Sequence, residues 1–193
     1  MAVTATNLIQ GAGVLYQAPF GSTEPTDTTV GTAAPSAPWV DCGGTLGGLE
    51  IEISQDFAKL EVDQVVGRVG SRKTNEETTL STSLAEATLE NLRFSLNSQG
   101  AITQGGKLTT AWKKYTVDNG VATQQPTYSA LLFDGWGPNQ LNRRVIVRKV
   151  LNLDNVSLPY KKDDQTVLSV KFTAHWVSSS IAQVVVVDDQ LDT

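Results

Sequence analysis

The sequence predicts a mainly β, single-domain protein with one flanking α-helix at about residues 84–97. Three observations carry that expectation. Apolar and polar residues alternate with period two in several separate segments, the pattern of strands with one buried face. Thr is frequent and Val is clustered, as in Val184 to Val187, and β-branched side chains favour strands. Helical spacing of apolar residues stands out in a single segment.

Taken in chain order, Gly13 to Gln17 reads as a short first strand. Pro19 to Pro38 follows, rich in Thr, Pro, Ala, Gly and Ser and without periodicity. It is expected to form a flexible loop region at about 19–38. A glycine-dense turn, Cys42 to Gly48, leads into Leu49, Ile51 and Ile53 alternating with Glu50, Glu52 and Ser54. Phe57 to Val62 and Val65 to Val69 read as further strands. Thr78, Leu80, Thr82 and Leu84 alternate with Glu77, Thr79, Ser81 and Ser83. Ser83-Leu84-Ala85-Glu86 fits a capping box, with Ala85, Leu89, Leu92 and Leu96 at helical spacing behind it. Residues 97–142 are irregular, with turns expected at Asp118-Asn119-Gly120 and Asp134-Gly135 and a buried strand at Tyr128 to Phe133. Arg144 to Leu151 is a strand, and Val156, Leu158 and Tyr160 alternate in the next. Leu168, Val170, Phe172, Ala174 and Trp176 form the cleanest alternation, which places Trp176 in the core. Ile181 to Val187 closes the chain, within a C-terminal arm at about 178–193.

Composition sets bounds on function. The chain has 193 residues, 40% apolar and 18% charged, a globular rather than disordered balance. A lone cysteine, Cys42, leaves no intrachain disulfide. Met1 to Asn7 lacks the basic and apolar regions of a signal peptide, and no apolar run reaches the ~18 residues of a membrane span. Synthesis and folding in a cytoplasm are therefore expected. The net charge of −5 is uneven: residues 1–97 hold 12 acids and 5 bases, residues 98–193 hold 8 acids and 10 bases. Such asymmetry suits acidic and basic faces meeting between subunits as well as ordinary surface variation. Neither half is basic enough for a nucleic-acid grip.

The candidate chemistry is thin. His175 is the sole histidine and falls on the polar side of a strand, without the partners that metal or triad sites need. Cys42 has no basic or histidine neighbour in sequence to activate a thiol. Gly67 to Thr74 nearly matches a phosphate-binding loop, but Arg72 stands where glycine is required and an alternating strand follows in place of a helix. Glu50, Glu52, Glu61, Asp63, Glu76 and Glu77 offer carboxylates without any defined pair. Arg143, Arg144, Arg148, Lys149, Lys161 and Lys162 form a basic cluster that lacks clustered aromatics, so a solvated or partner-facing surface is expected. No catalytic, cofactor-binding or metal-binding residue is assigned.

Several blocks resemble one family. They are Gly44-Thr45-Leu46-Gly47-Gly48-Leu49-Glu50, Val62-Asp63-Gln64, and Ser83-Leu84-Ala85-Glu86-Ala87-Thr88-Leu89-Glu90-Asn91-Leu92. Tyr128-Ser129-Ala130-Leu131-Leu132-Phe133-Asp134-Gly135-Trp136 and Arg143-Arg144-Val145-Ile146-Val147-Arg148-Lys149-Val150 follow. The last block runs from Tyr160-Lys161-Lys162-Asp163-Asp164-Gln165-Thr166 to His175-Trp176-Val177. In this order they are similar to the major tail tube proteins of long-tailed, non-contractile bacteriophages, over about residues 44–180. The resemblance implies a β-sandwich or barrel-like tail tube fold and a structural protein of the virion tail. It implies hexameric rings stacked into the conduit for DNA ejection, with no cofactor and no enzymatic activity. Expected partners are further copies of the chain and other tail proteins (tape measure, tail terminator, distal tail). DNA is expected to pass without specific binding.

Two rival readings stay open on the sequence: another virion β-protein such as a head decoration or tail completion subunit, and a carbohydrate-binding sandwich or hydrolase. Within the tube reading, Glu50, Glu52, Glu61 and Asp63, with Lys59 interspersed, are expected to face the lumen, because a negative wall repels sliding phosphates. Residues 19–38 and the termini are expected to join adjacent rings.

Overall fold

The computed structural model describes residues 4–98, 100–106, 111–117 and 125–189. Strands dominate: β1 (Val14–Pro19), β2 (Val40–Asp41), β3 (Thr45–Leu60), β4 (Gly70–Leu84), β5 (Ile102–Gly105), β6 (Trp112–Tyr115), β7 (Ser129–Trp136), β8 (Asn142–Asn152), β9 (Leu168–Ala174) and β10 (Val184–Asp188). One α-helix, α1 (Leu89–Ser95), joins them. Eight strands form one antiparallel sheet in the order β2-β1-β7-β8-β9-β4-β3, with β10 on β8; β5 and β6 pair separately. The mainly β expectation with one helix holds.

β8 is the hinge of this sheet. Its first half pairs with β7 on one side and β10 on the other, while Val150, Leu151 and Asn152 pair with β9. A register shift opposite Ser129–Leu131 inserts an extra residue into β8 at the point of change. Such a bulge bends a strand and flips its facing. Val145, Val147 and Val150 thereby all reach the larger core, with Leu15, Leu131, Leu80, Leu84, Leu168, Val170 and Phe172. Ile146 faces the opposite side, in a smaller cluster with Ala18, Trp39, Ala130 and Leu132. The first half of β8 is buried on both faces, which explains its continuous apolar run.

Residues 19–38 cross the face that carries the smaller cluster. Val30 and Trp39 are buried there, and the Trp39 indole donates to the Thr23 carbonyl at 2.9 Å. The glycine-dense turn has a specific use. Gly47 and Gly48 form a bulge between the Leu46–Ser83 and Leu49–Thr82 pairs, both at positive φ (81° and 85°), where a side chain would be strained.

Five expectations change. The helix starts later than the capping box suggests: Ser83 and Leu84 belong to β4, and Leu84, wholly buried, pairs with Leu168 of β9. Ladder pairing and burial outcompete the local cap. Thr88 caps the helix instead, accepting from the Asn91 amide at 3.2 Å. The buried face moves to Asn91, Phe94 and Ser95, and Phe94 stacks on Phe172 at 4.8 Å. The Asn91 side chain donates to the carbonyls of Cys42 and Glu86, both at 2.8 Å. Second, Phe57 to Leu60 continues β3, and 65–69 lies in its connection to β4. Third, Val156, Leu158 and Tyr160 join no strand among the described residues: Val156 and Leu158 pack against the core, and Tyr160 is exposed. Fourth, β9 ends at Ala174, so Trp176 leaves the core and is 66% exposed. Fifth, Asp134-Gly135 is no turn: both residues continue β7 and pair with Arg144 and Arg143 of β8. The turn expected at 118–120 lies outside the described residues.

The two cap assignments separate cleanly in stability. Thr88→Ala is expected to cost about 1 kcal/mol, and Ser83→Ala less than about 0.5 kcal/mol, in urea unfolding. Equal losses would return the cap to Ser83.

Candidate functional site

The most distinctive surface is a hairpin. β3 has 16 residues and β4 has 15, but β9 pairs with β4 only from Thr79 to Leu84. Beyond Thr78 the hairpin has no third strand among the described residues. From Ile53 to Leu60 it projects about 25 Å at strand rise, and every residue from 52 to 69 is exposed. We call this projection the arm. β3 is also the last strand of the sheet, so among the described residues no strand pairs its outer edge. Open edges present unpaired backbone donors and acceptors and invite pairing with another chain. The opposite edge is the two-residue β2, too short to offer the same.

Strand pairing assigns the arm two unlike faces, because paired residues point to the same side. Leu49–Thr82, Ile51–Leu80 and Ile53–Thr78 share the core face, which continues outward as Gln55–Glu76 and Phe57–Lys73. Here the charges are matched. Lys73 donates to Glu76 at 2.5 Å and Gln55 donates to the same carboxylate at 2.7 Å. The Lys73 bond first, then the Gln55 bond, holds the Glu76 carboxyl below the usual range. Ile53 and Phe57 remain more than half exposed beside them.

The other face reads Glu50–Ser81, Glu52–Thr79, Ser54–Glu77 and Asp56–Asn75. It continues onto β9 through Lys171 and Ser169. Carboxylates and hydroxyls dominate, and Glu50, Glu52, Asp56 and Glu77 make no ion pair among the described residues. Of the residues the sequence singles out, Glu50 and Glu52 stand on this face. Lys59 pairs with Ser71 and, by alternation, points to the other one. Glu61 and Asp63 lie in the connection at the tip. The five are therefore not one cluster. Asp56 and Glu77 complete the acidic stripe: alternation in sequence already puts Glu77 on the polar side of β4, but its register opposite Ser54, next to the Asp56–Asn75 pair, is set by strand pairing and not by spacing along the chain.

Most of the basic cluster turns inward, while Lys161 and Lys162 stay exposed. Arg144, with a side chain 1% exposed, makes two 2.7 Å bonds to Asp134 and donates to the Thr29 hydroxyl at 3.1 Å. Arg143 grips Asp188 at 2.5 and 2.7 Å, tying β10 to β8. Arg148 grips Glu24 through two bonds and donates to the Ala182 carbonyl at 2.8 Å. Lys149 lies 4.3 Å from the Tyr128 ring centre and 5.4 Å from that of Phe20. Much of the expected partner-facing charge is thus spent within the chain. The acidic partners of Arg144 and Arg148 lie 10 and 124 residues away, and spacing along the chain could not reveal them.

The other chemistry-bearing residues have structural surroundings. Cys42 is buried, and desolvation first, then Asp41, pushes its thiol up to about 12, far from a reactive thiolate. His175 is half-buried, its amide donating to the Lys149 carbonyl at 2.8 Å and its ring edge-on to Tyr128. The near-match to a phosphate loop occupies the arm tip and the start of β4, with no helix behind it. Among the described residues, no group of three His, Cys, Asp or Glu is placed to hold a metal, and no helix is long and apolar enough to cross a membrane.

A long open edge, a projecting two-faced hairpin and basic residues committed to internal pairs define a structural β-protein built to associate. The chain belongs to the phage tail tube protein family, whose model matches residues 1–191. No individual curated protein matches it. It is therefore a structural component of the virion tail that assembles with itself and with other tail proteins.

Two outcomes follow from the arginine clamps. Arg144→Met leaves Asp134 mostly buried and unpaired, and should cost about 3 kcal/mol in urea unfolding. The hydrogen bond from Arg143 lowers the folded-state pKa of Asp188. Its stabilisation is therefore present above the unfolded carboxyl value of about 3.9 and disappears as pH falls through the lowered folded value. The stability gap between the wild type and Asp188→Asn should be open at neutral pH and close in strong acid. A gap that stayed constant with pH would remove this clamp from the account.

Proposed function

We propose that this chain is the major tail tube subunit of a long-tailed, non-contractile phage. In this reading it is made in the bacterial cytoplasm, folds as a single domain and carries no enzymatic activity. Six copies close into a ring, and rings stack into the conduit for DNA ejection. The observation that carries the reading is the open 16-residue edge of β3 at one end of the strand order and the short edge of β2 at the other. A surface at one end of the strand order that meets a different surface on the next copy is a head-to-tail contact. Such contacts close as rings or continue as filaments, and a tube uses both. Continuing the sheet from copy to copy would satisfy the backbone groups that one subunit leaves open.

The sequence assigns reach between rings to residues 19–38 and the termini; the arm, which runs on beyond the stretch of β4 that β9 pairs, is the better-suited element. The lumen wall in this reading is the polar face of β3, β4 and β9. Its Glu50, Glu52 and Glu77 carboxylates repel phosphate, and its Ser and Thr hydroxyls offer no aromatic platform on which bases could stack. Glu61 and Asp63 join that wall only if the tip turns towards the axis, and Lys59 faces away from it. The tape measure protein would occupy the same lumen before DNA, with terminator and distal tail proteins at the two ends.

Negative-stain microscopy of the purified protein tests the class: long hollow tubes are expected, and small closed oligomers would favour a head decoration or tail completion protein instead. Glu50→Lys with Glu52→Lys tests the lumen. Tubes should assemble normally while DNA ejection from reconstituted particles slows about tenfold or more. Ejection at the wild-type rate would place these carboxylates elsewhere.

A further inference from the structure

Where β3, β4 and β9 run side by side, their polar face has three rows across the strands: Leu46–Ser83–Ser169, Glu50–Ser81–Lys171 and Glu52–Thr79–Thr173. Lys171 is the one cation in these rows. It is exposed and makes no ion pair among the described residues. Hydroxyls flank it. Ser81 is its partner in the row, and Ser169 stands two residues away on the same face, its hydroxyl 3.2 Å from that of Ser83. An exposed ammonium with hydroxyl donors beside it is the chemistry that holds a phosphate. A wall with one such group in every copy would grip a sliding polyanion at many points, and each phosphate neutralised adds to the affinity.

Two carboxylates share the surroundings of that amine. Glu50 ends its row on the β3 side. Asp154, just past the end of β8, is the other, and its place is fixed by Asn152. The buried Asn152 carboxamide oxygen accepts from the Lys171 amide at 3.1 Å and from the Asp154 amide at 3.3 Å. Its nitrogen donates to the Ser95 carbonyl at 2.7 Å, and the Leu153 amide donates to the Lys171 carbonyl at 3.3 Å. Glu50, Ser81, Ser83, Asp154, Ser169 and Lys171 thereby line one trough of about 600 Å3. One amine against two carboxylates leaves the trough net negative.

We propose that Asp154, together with Glu50, masks Lys171 from the DNA that slides through the lumen, and that Asp154 is a residue of the lumen wall. Neither carboxylate forms an ion pair with Lys171, so both act through the local field. Two strand spacings, about 10 Å, separate the Glu50 and Lys171 backbones. Side chains as long as Glu and Lys can shorten that gap to within a Debye length. Lys171 in turn offsets the repulsion among carboxylates that ring closure brings together. The proposal rests on the lumen reading above and adds to it a residue, Asp154, and the group on which it acts.

DNA ejection from reconstituted particles tests the masking. Glu50→Gln with Asp154→Asn leaves Lys171 as the only charge in the trough, and ejection should slow about threefold or more at low salt. The slowing should fade at high salt, and adding Lys171→Gln should return the rate to that of the wild type. All three side chains are exposed, so these variants should unfold in urea as the wild type does. Ejection of the double variant at the wild-type rate would overturn the proposal. So would equal slowing with and without Lys171→Gln, since the carboxylates would then act on DNA directly. In either case, slow ejection by Glu50→Lys with Glu52→Lys would leave the lumen reading standing. A folded subunit that forms no tubes in any version would overturn both.

Discussion

Everything in the body of this subunit depends on β8 being shared. Its first half is clasped by β7 and β10, and its last three paired residues belong to β9. A strand that serves two directions of sheet must change facing along its length, and the inserted residue near Arg148 does so. This is how Val145, Val147 and Val150 reach one core while Ile146 reaches another. Without the bulge, Val150 would turn out of the large core, and β9, β4 and β3 would lose their packing against it. Arg144 is the polar exception within that apolar run. Two bonds to Asp134 and one to Thr29 satisfy its buried charge and also secure the loop over the second face. Buried charge is costly unless it is paired and fully hydrogen-bonded, so this arrangement ties loop placement to the geometry of β7 and β8.

A second constraint is the mismatch in strand length. β9 covers β4 for six paired residues, and the hairpin then runs on alone. An isolated two-stranded ribbon is marginal in water. Its core face keeps matched charges, Lys73 with Glu76, while its opposite face carries unmatched carboxylates. In the tube proposed above, such asymmetry would let one face of the hairpin lie against protein and the other repel polyanion, without any specialised residue.

The charge distribution makes the same point from the other side. In sequence the basic residues of the second half look available for a partner. In the fold, three arginines are consumed by Asp134, Asp188 and Glu24, and Lys149 lies over aromatic rings. These pairs close β10 onto β8 and the loop onto the sheet. The acidic stripe of the hairpin keeps no such partners. Unpaired carboxylates, those of Glu50, Glu52, Asp56 and Glu77, are therefore gathered on one face of the hairpin, while Lys59 stands on the other.

Strand content was legible in the sequence wherever one face is buried: Leu49 and Ile51, Leu80 to Leu84, and Leu168 to Phe172 all alternate as their burial requires. Family membership was legible too, because ordered blocks along the chain resemble tail tube proteins, and the family match spans residues 1–191. What failed was decided by competition at a distance. Ser83 could cap a helix, but Leu168 across the ladder held its neighbour Leu84 in a strand. Trp176 continued a period of two, yet β9 ended two residues before it. Glu50, Glu52 and Lys59 looked like one set, and strand parity separated Lys59 from the others. Local spacing determined which segments are strands, since alternation is a property of neighbouring residues. Only the tertiary structure decided where each strand stops finding a partner, because pairing is a contest among segments far apart in the chain, and the arm exists where β4 outlasts β9.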